Sequence, residues 1–261
     1  MLVDVHAHLD HAHYKDKLDV IIARAKKIGM SHVLTSGVNP VSNKNALELS
    51  RKYDIVYFSA GLYPIDLLGN VDVESMPRQI DPIDMDEQFK FIQDHKDEVL
   101  AIGEVGLDGK FCADQLPKQK ENFEKILRFV EKINKPIVLH SRKAESSVID
   151  LLESSSLKKV NLHCFMGNKK LIKRACDLGY HFSIPPLIVK LHHFQMLVDL
   201  VPLNQLLTET DAPWLSPFPN QKSEPAFVVE SLKKIAEIKK ITTEEVTKNI
   251  FMNFQKLFLQ Q

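Results

Sequence analysis

From its second residue the chain alternates between two hydrophobic periodicities. Short apolar, β-branched runs suit buried strands. Between them, apolar residues recur every three or four positions, as on one face of a helix. Residues 2–6 form the first run. Lys17–Gly29 follows, with Leu18, Ile21, Ile22, Ala25 and Ile28 at helical spacing and a glycine to stop it. Further strands are predicted at His32–Ser36, Ile55–Ala60, Val99–Gly103, Pro136–Leu139, Val160–Leu162, Tyr180–Ile184 and Gln205–Thr210. Helices are predicted between them at Ser42–Lys52, Asp84–His95, Gln115–Ile133, Ala144–Glu153, Asn168–Leu178 and Leu191–Leu200. Asp66–Pro82 reads as a polar, turn-rich connection, and two helices, about Ala226–Lys240 and Thr243–Phe258, close the chain. Eight strand-then-helix units predict a TIM (β/α)8 barrel, one domain over residues 1–261 with an extra C-terminal helix. The rival, a doubly wound open sheet, calls for a Gly-rich phosphate loop after the first strand, and none is present.

Composition narrows the setting. The 261 residues are 44% hydrophobic and 26% charged, enough for a large single core. No apolar run is long enough to span a bilayer, and no basic segment leading into an apolar one marks a signal peptide, so a cytoplasmic protein with no membrane partner is expected. Cys112, Cys164 and Cys176 lack metal-finger spacing and fit free thiols in a reducing compartment. Lys plus Arg equal Asp plus Glu at 34 each, which argues against a bulk polyanion clamp but allows a local basic patch. Nothing in the sequence sets the oligomeric state.

The chemistry is concentrated at strand ends. In a strand, alternate side chains share a face, so Asp4, His6 and His8 point the same way, with Asp4 placed to hold a ring nitrogen of one of the histidines. Barrel active sites lie at the carboxyl ends of the strands. His6 and His8 fall there after strand one, Glu104 after four, His140 after five, His163 after six and Asp211 after eight. By the same alternation Leu100, Ile102 and Glu104 share a face, as do Glu209 and Asp211, Glu209 one layer deeper as a buried support. Each residue alone has a structural reading: a core histidine bonded to backbone, a loop acid, a helix N-cap. Together they suit zinc, manganese or magnesium, and six ligands are about right for two divalent ions bridged by one carboxylate. Arg142 is a candidate phosphate contact, or else a surface arginine opening the next helix; Tyr63 and Lys110 are weaker candidates. Trp214 could stack a base or fill the barrel's edge. His11, His13, His192 and His193 read as solvated, and Cys164 as turned outward among the helices.

The ordered motifs His-X-His-Leu-Asp, Gly-Glu-X-Gly-Leu-Asp, Leu-His-Ser-Arg, Leu-His-Cys-Phe and Glu-Thr-Asp-Ala-Pro span nearly the whole chain. In them the protein resembles the TatD-related metal-dependent deoxyribonucleases of the amidohydrolase superfamily. The resemblance implies a two-metal hydrolase in which His6, His8 and Asp211 hold one ion, His140 and His163 the other, and Glu104 bridges. It implies catalytic roles for Asp211 and Glu104, and DNA as substrate, single-stranded or at 3′ ends. The alternative is a metal-dependent amide or ester hydrolase, such as a D-aminoacyl-tRNA deacylase, on the same site; a third is a barrel kept only for binding. The sequence departs from the family at Tyr63, where many members have histidine, at Gly109-Lys110, where they have an aromatic pair, and at Lys222-Ser223-Glu224-Pro225, where Arg-Asn-Glu-Pro is common.

Overall fold

All eight strands form in a computed structural model of the chain, which describes residues 1–69, 71, 73, 76 and 78–260. They are β1 (Leu2–Ala7), β2 (Met30–Ser36), β3 (Val56–Leu62), β4 (Val99–Gly106), β5 (Ile137–His140), β6 (Val160–His163), β7 (His181–Ile184) and β8 (Leu206–Thr208). They lie side by side in chain order, every ladder parallel. Helices α1 (Leu18–Lys27), α2 (Pro40–Lys52), α3 (Met85–Asp94), α4 (Leu116–Ile133), α5 (Glu145–Glu153), α6 (Lys169–Asp177) and α7 (His192–Leu200) connect successive strands. α8 (Val228–Lys239) and α9 (Thr243–Phe254) follow the last strand, so the architecture is the expected TIM barrel with one additional helix.

Local chemistry explains the boundaries. The side chains of Asn39, Asp84 and Asn168 accept hydrogen bonds from the first backbone N–H groups of α2, α3 and α6, and Thr242 and Glu245 form a reciprocal capping box on α9. α4 turns Phe123, Ile126, Leu127, Val130 and Ile133 onto the barrel, the stripe its periodicity predicts. Two expectations change in length. The regular part of β8 stops at Thr208, and α9 widens into a π turn over Gln255–Leu259 instead of running to Phe258 as a uniform helix. In the 66–82 connection, the described residues Val71, Val73, Met76 and Ile80 pack on Tyr63 and Ile65; the expectation for residues 70, 72, 74, 75 and 77 lies outside the described residues.

The barrel closes where β8 meets β1, by means other than a long ladder. A single bridge pairs Ala7 with Ala212, with His8 N–H donating to Ala212 O (2.7 Å) and Asp211 N–H to His6 O (2.9 Å). Thr208 Oγ1 donates to Val3 O (2.7 Å), and the buried Asp4 carboxylate accepts from the Thr210 backbone (2.9 Å) and hydroxyl. At the start of β7, His181 is buried with neither ring nitrogen hydrogen-bonded among the described residues. Burial, with some help from Lys256, pushes its pKa down to about 4.

Candidate metal centre

The end of β1 carries His6 and His8, and Ser36 at the end of β2 orients both. Ser36 Oγ lies 3.1 Å from His6 Nδ1, and Ser36 O lies 3.0 Å from His8 Nδ1. A carbonyl only accepts, so His8 carries a proton on Nδ1, and Nε2 is the nitrogen turned toward Glu104 and Asp211. This overturns one expectation. Asp4 bonds the His6 backbone N–H and Thr210 rather than an imidazole, because the neighbouring strand reaches the rings first.

β4 brings in Glu104. Its register shifts against β3 between Ala60 and Leu62, and against β5 between Ile102 and Val105, so the regular pairing is interrupted on both sides just where Glu104 stands. Glycine makes the approach possible: a Cβ on Gly61 would lie 1.8 Å from Gly37 O, the same carbonyl that accepts from Glu104 N–H (3.1 Å). Glu104 Oε2 ends 3.7 Å from His6 Nε2 and 3.5 Å from His8 Nε2. Asp211 Oδ1, just past β8, is 3.6 Å and 3.4 Å from the same two nitrogens. Four ligands about 2.1 Å from a tetrahedral ion lie about 3.4 Å from one another. These four N–O distances are those of ligands sharing an ion, not of hydrogen-bonded partners; the ligand atoms of His6, His8 and Asp211 lie within 4.8 Å of one another, as do those of His6, Glu104 and His163. His6 Nε2, fully buried and without a hydrogen-bond partner among the described residues, faces into this set. The residues fit a divalent cation.

The other oxygen of Glu104 faces the second pair of histidines. Oε1 lies 2.6 Å from His140 Nδ1 and 3.2 Å from His163 Nε2. The first distance is that of a charge-assisted hydrogen bond. Asp108 Oδ2 holds the His140 ring from behind, 2.9 Å from Nε2, whereas Glu209 Oε2 approaches His163 Nδ1 only to 3.5 Å, without a hydrogen bond. Glu209 accepts from Cys164 N–H (2.9 Å) and the Ser183 hydroxyl, which makes it the buried support expected of it. Burial disfavours the charge on Glu104, but His140 and His163 outweigh it and hold its carboxyl well below the usual range. Burial likewise opposes a proton on His8, yet Asp211 and Glu104 prevail and raise its pKa to about 9. Positive charge is what this cluster of carboxylates collects.

A cavity of about 1050 Å³ opens above the cluster. Arg142 lines it, exposed, with its guanidinium 5.1 Å over the Phe111 ring. Tyr63 lines it too but faces inward, its hydroxyl donating to Asp108 Oδ2 (3.1 Å) with Arg78 stacked on its ring (4.9 Å). Lys110 is not among the lining residues. The readings of His11 as solvated and of Cys164 as turned outward need correction. His11 sits at the cavity wall edge-on to Trp214, with ring centroids 5.3 Å apart, and its Nδ1 accepts from His13 N–H. Cys164 lines the cavity instead of packing outward, because its backbone turns left-handed at φ 44° as β6 ends and alternation stops there. His192 is exposed, and His193 is tied to Phe165 O at 3.2 Å. Sequence reasoning passed over Ser36, Asp108 and Arg78; for Asp108 the signal was its place four residues after Glu104 in a motif already noted.

Comparison with known proteins agrees with this architecture. Residues 3–259 match the family described as TatD related DNase. A metal-dependent hydrolase of Methanocaldococcus jannaschii is 34% identical over 98% of this chain and 96% of its own length. Human deoxyribonuclease TATDN3 is 32% identical over 98% of this chain and 94% of its own. The crystal structure of YJJV, a TatD homolog from Escherichia coli, superposes with a TM-score of 0.87 at 22% identity, covering 100% of this chain and 98% of that one, which shows the shared fold. No helix in the described residues is long and apolar enough to cross a membrane. With the barrel, the ordered motifs and the family match all in agreement, the chain belongs to the TatD-related DNase family.

Proposed function

We propose that this protein is a divalent-metal-dependent hydrolase that cleaves phosphodiester bonds in DNA, acting at 3′ ends of single strands. The observation that carries the reading is the placement of Glu104, with one oxygen toward His6 and His8 and the other against His140 and His163. In this reading His6, His8 and Asp211 hold one ion, His140 and His163 a second, and Glu104 bridges them. Magnesium, manganese or zinc, if bound there, would supply positive charge against the phosphodiester oxygens and would make a water more acidic.

The protein's own groups do the rest. Asp211 presents Oδ1 to the histidines, and its other oxygen accepts the proton of the attacking water. The water oxygen forms the new bond to phosphorus, the bond to the sugar oxygen breaks, and that oxygen takes a proton from solvent as it leaves, while Asp211 later returns its own to solvent. Arg142 at the rim offers planar donors to a non-bridging phosphate oxygen. Tyr63, through Asp108, fixes the orientation of His140 and so positions rather than reacts. One feature suits the acyl alternative: Met166, Leu187, Leu191 and Phe194 give the cavity an apolar wall. Metal analysis together with cleavage of a 3′-labelled oligonucleotide tests the proposal, with an acyl-tRNA substrate run alongside. The parent is expected to retain divalent metal and shorten the DNA, and Glu104→Ala to do neither. Cleavage of the acyl substrate alone would move the assignment to the other reading.

A further inference from the structure

One group of residues, with His11 and Trp214 in the cavity wall and Lys222 against Trp214, is not used in the chemistry above. Trp214 sits three residues beyond Asp211, its backbone N–H donating to Asp211 O at 2.8 Å, so the indole is fixed beside the reacting centre by a single tight turn. It lines the cavity and is half-buried. Lys222 Nζ lies 4.5 Å from the centre of its ring, and His11 packs against it edge-on. Lys222 makes no ion pair among the described residues, although the chain is rich in carboxylates; the neighbouring Glu224 is instead committed to Arg24. The cluster thus combines a flat aromatic surface with an unmatched positive charge, a few residues from a candidate ligand.

We propose that Trp214 and Lys222 form the subsite for the terminal nucleotide, the indole stacking its base and the ammonium taking an adjoining phosphate. This rests on the deoxyribonuclease reading and gives its substrate preference a physical cause. A base reaches an indole face only when it is free of its partner strand, and base–aromatic stacking is indifferent to which base it is. The subsite would therefore favour unpaired ends without reading sequence. A net-neutral protein needs such a device, because it cannot draw affinity from bulk charge.

Trp214 is the chain's one tryptophan, so its emission reports on this subsite alone. The experiment titrates the full-length protein, in excess EDTA to prevent cleavage, with a fluorescein-labelled oligothymidylate and with the same oligomer lacking its 3′-terminal base. Anisotropy reports binding and indole emission reports stacking. The proposal expects quenching by the intact oligomer, little by the abasic one, and affinity roughly 10-fold weaker in Trp214→Ala but largely kept in Trp214→Phe. Lys222→Gln should weaken binding of both oligomers alike and flatten its salt dependence. Equal quenching by the two oligomers, or binding seen by anisotropy with emission unchanged, would overturn the subsite while leaving the deoxyribonuclease reading in place. Absence of DNA cleavage by the metal-loaded parent would overturn both.

Discussion

His181 offers a clean test of how burial governs this barrel's stability. Its imidazole is 6% exposed, with neither nitrogen hydrogen-bonded among the described residues, and burial lowers its pKa from 6.5 to about 4. Unfolded chains take a proton on this histidine below pH 6.5, whereas the folded protein resists until about pH 4. Between those values the unfolded state binds more protons, so stability falls as pH falls through the window and is unaffected by this group above it. At about 1.4 kcal/mol for each tenfold preference, the gap is worth about 3 kcal/mol, a large share of the 5–15 kcal/mol typical of a domain. Urea unfolding of the parent and of His181→Leu, in EDTA at several values from pH 4.5 to 7.5, isolates the contribution. The difference in unfolding free energy between variant and parent should grow as the pH drops and level off above pH 7. A difference that stays constant across the range would refute the assignment of the acid sensitivity to this buried ring.

Three other outcomes are expected. Asp211→Asn should keep the fold and most of the metal while lowering kcat roughly 10²- to 10⁴-fold, as measured by steady-state cleavage with metal content checked in parallel. Ser36→Ala removes the hydroxyl behind His6 but leaves the carbonyl behind His8, so calorimetric titration should show divalent-ion affinity roughly 10-fold weaker without loss of structure. Gly61→Ala forces a methyl group to within 1.8 Å of Gly37 O, and because backbone cannot yield as a side chain can, denaturation should reveal a loss of about 1–3 kcal/mol or more, together with weaker metal binding through displaced Glu104.

The barrel was legible because hydrophobic periodicity survives in one dimension, and the histidines could be placed because each ends a strand. His140 and His163 stand at the last positions of β5 and β6, where no detail of packing is needed to aim them at the mouth. Legibility failed wherever a neighbour decides. Whether Asp4 or Ser36 supports His6 depends on the register of β2 against β1, which the sequence of β1 does not contain. Alternation misread Cys164 because it assumes extended backbone, and this residue is left-handed. Alternation also leaves out the irregular pairing of β4 beside Glu104, which depends on both neighbouring strands. The pairing of Trp214 with Lys222 and His11 joins loops from opposite ends of the chain, beyond any local pattern.

The join between β8 and β1 has a consequence for the site it carries. His6 and His8 lie on β1 and Asp211 just past β8, so these three side chains meet only where the two ends of the sheet come together. That seam is held by one bridge and a few hydrogen bonds in place of a long ladder. Closing the barrel and assembling the cluster are thus a single event, and whatever loosens the seam loosens the cluster with it.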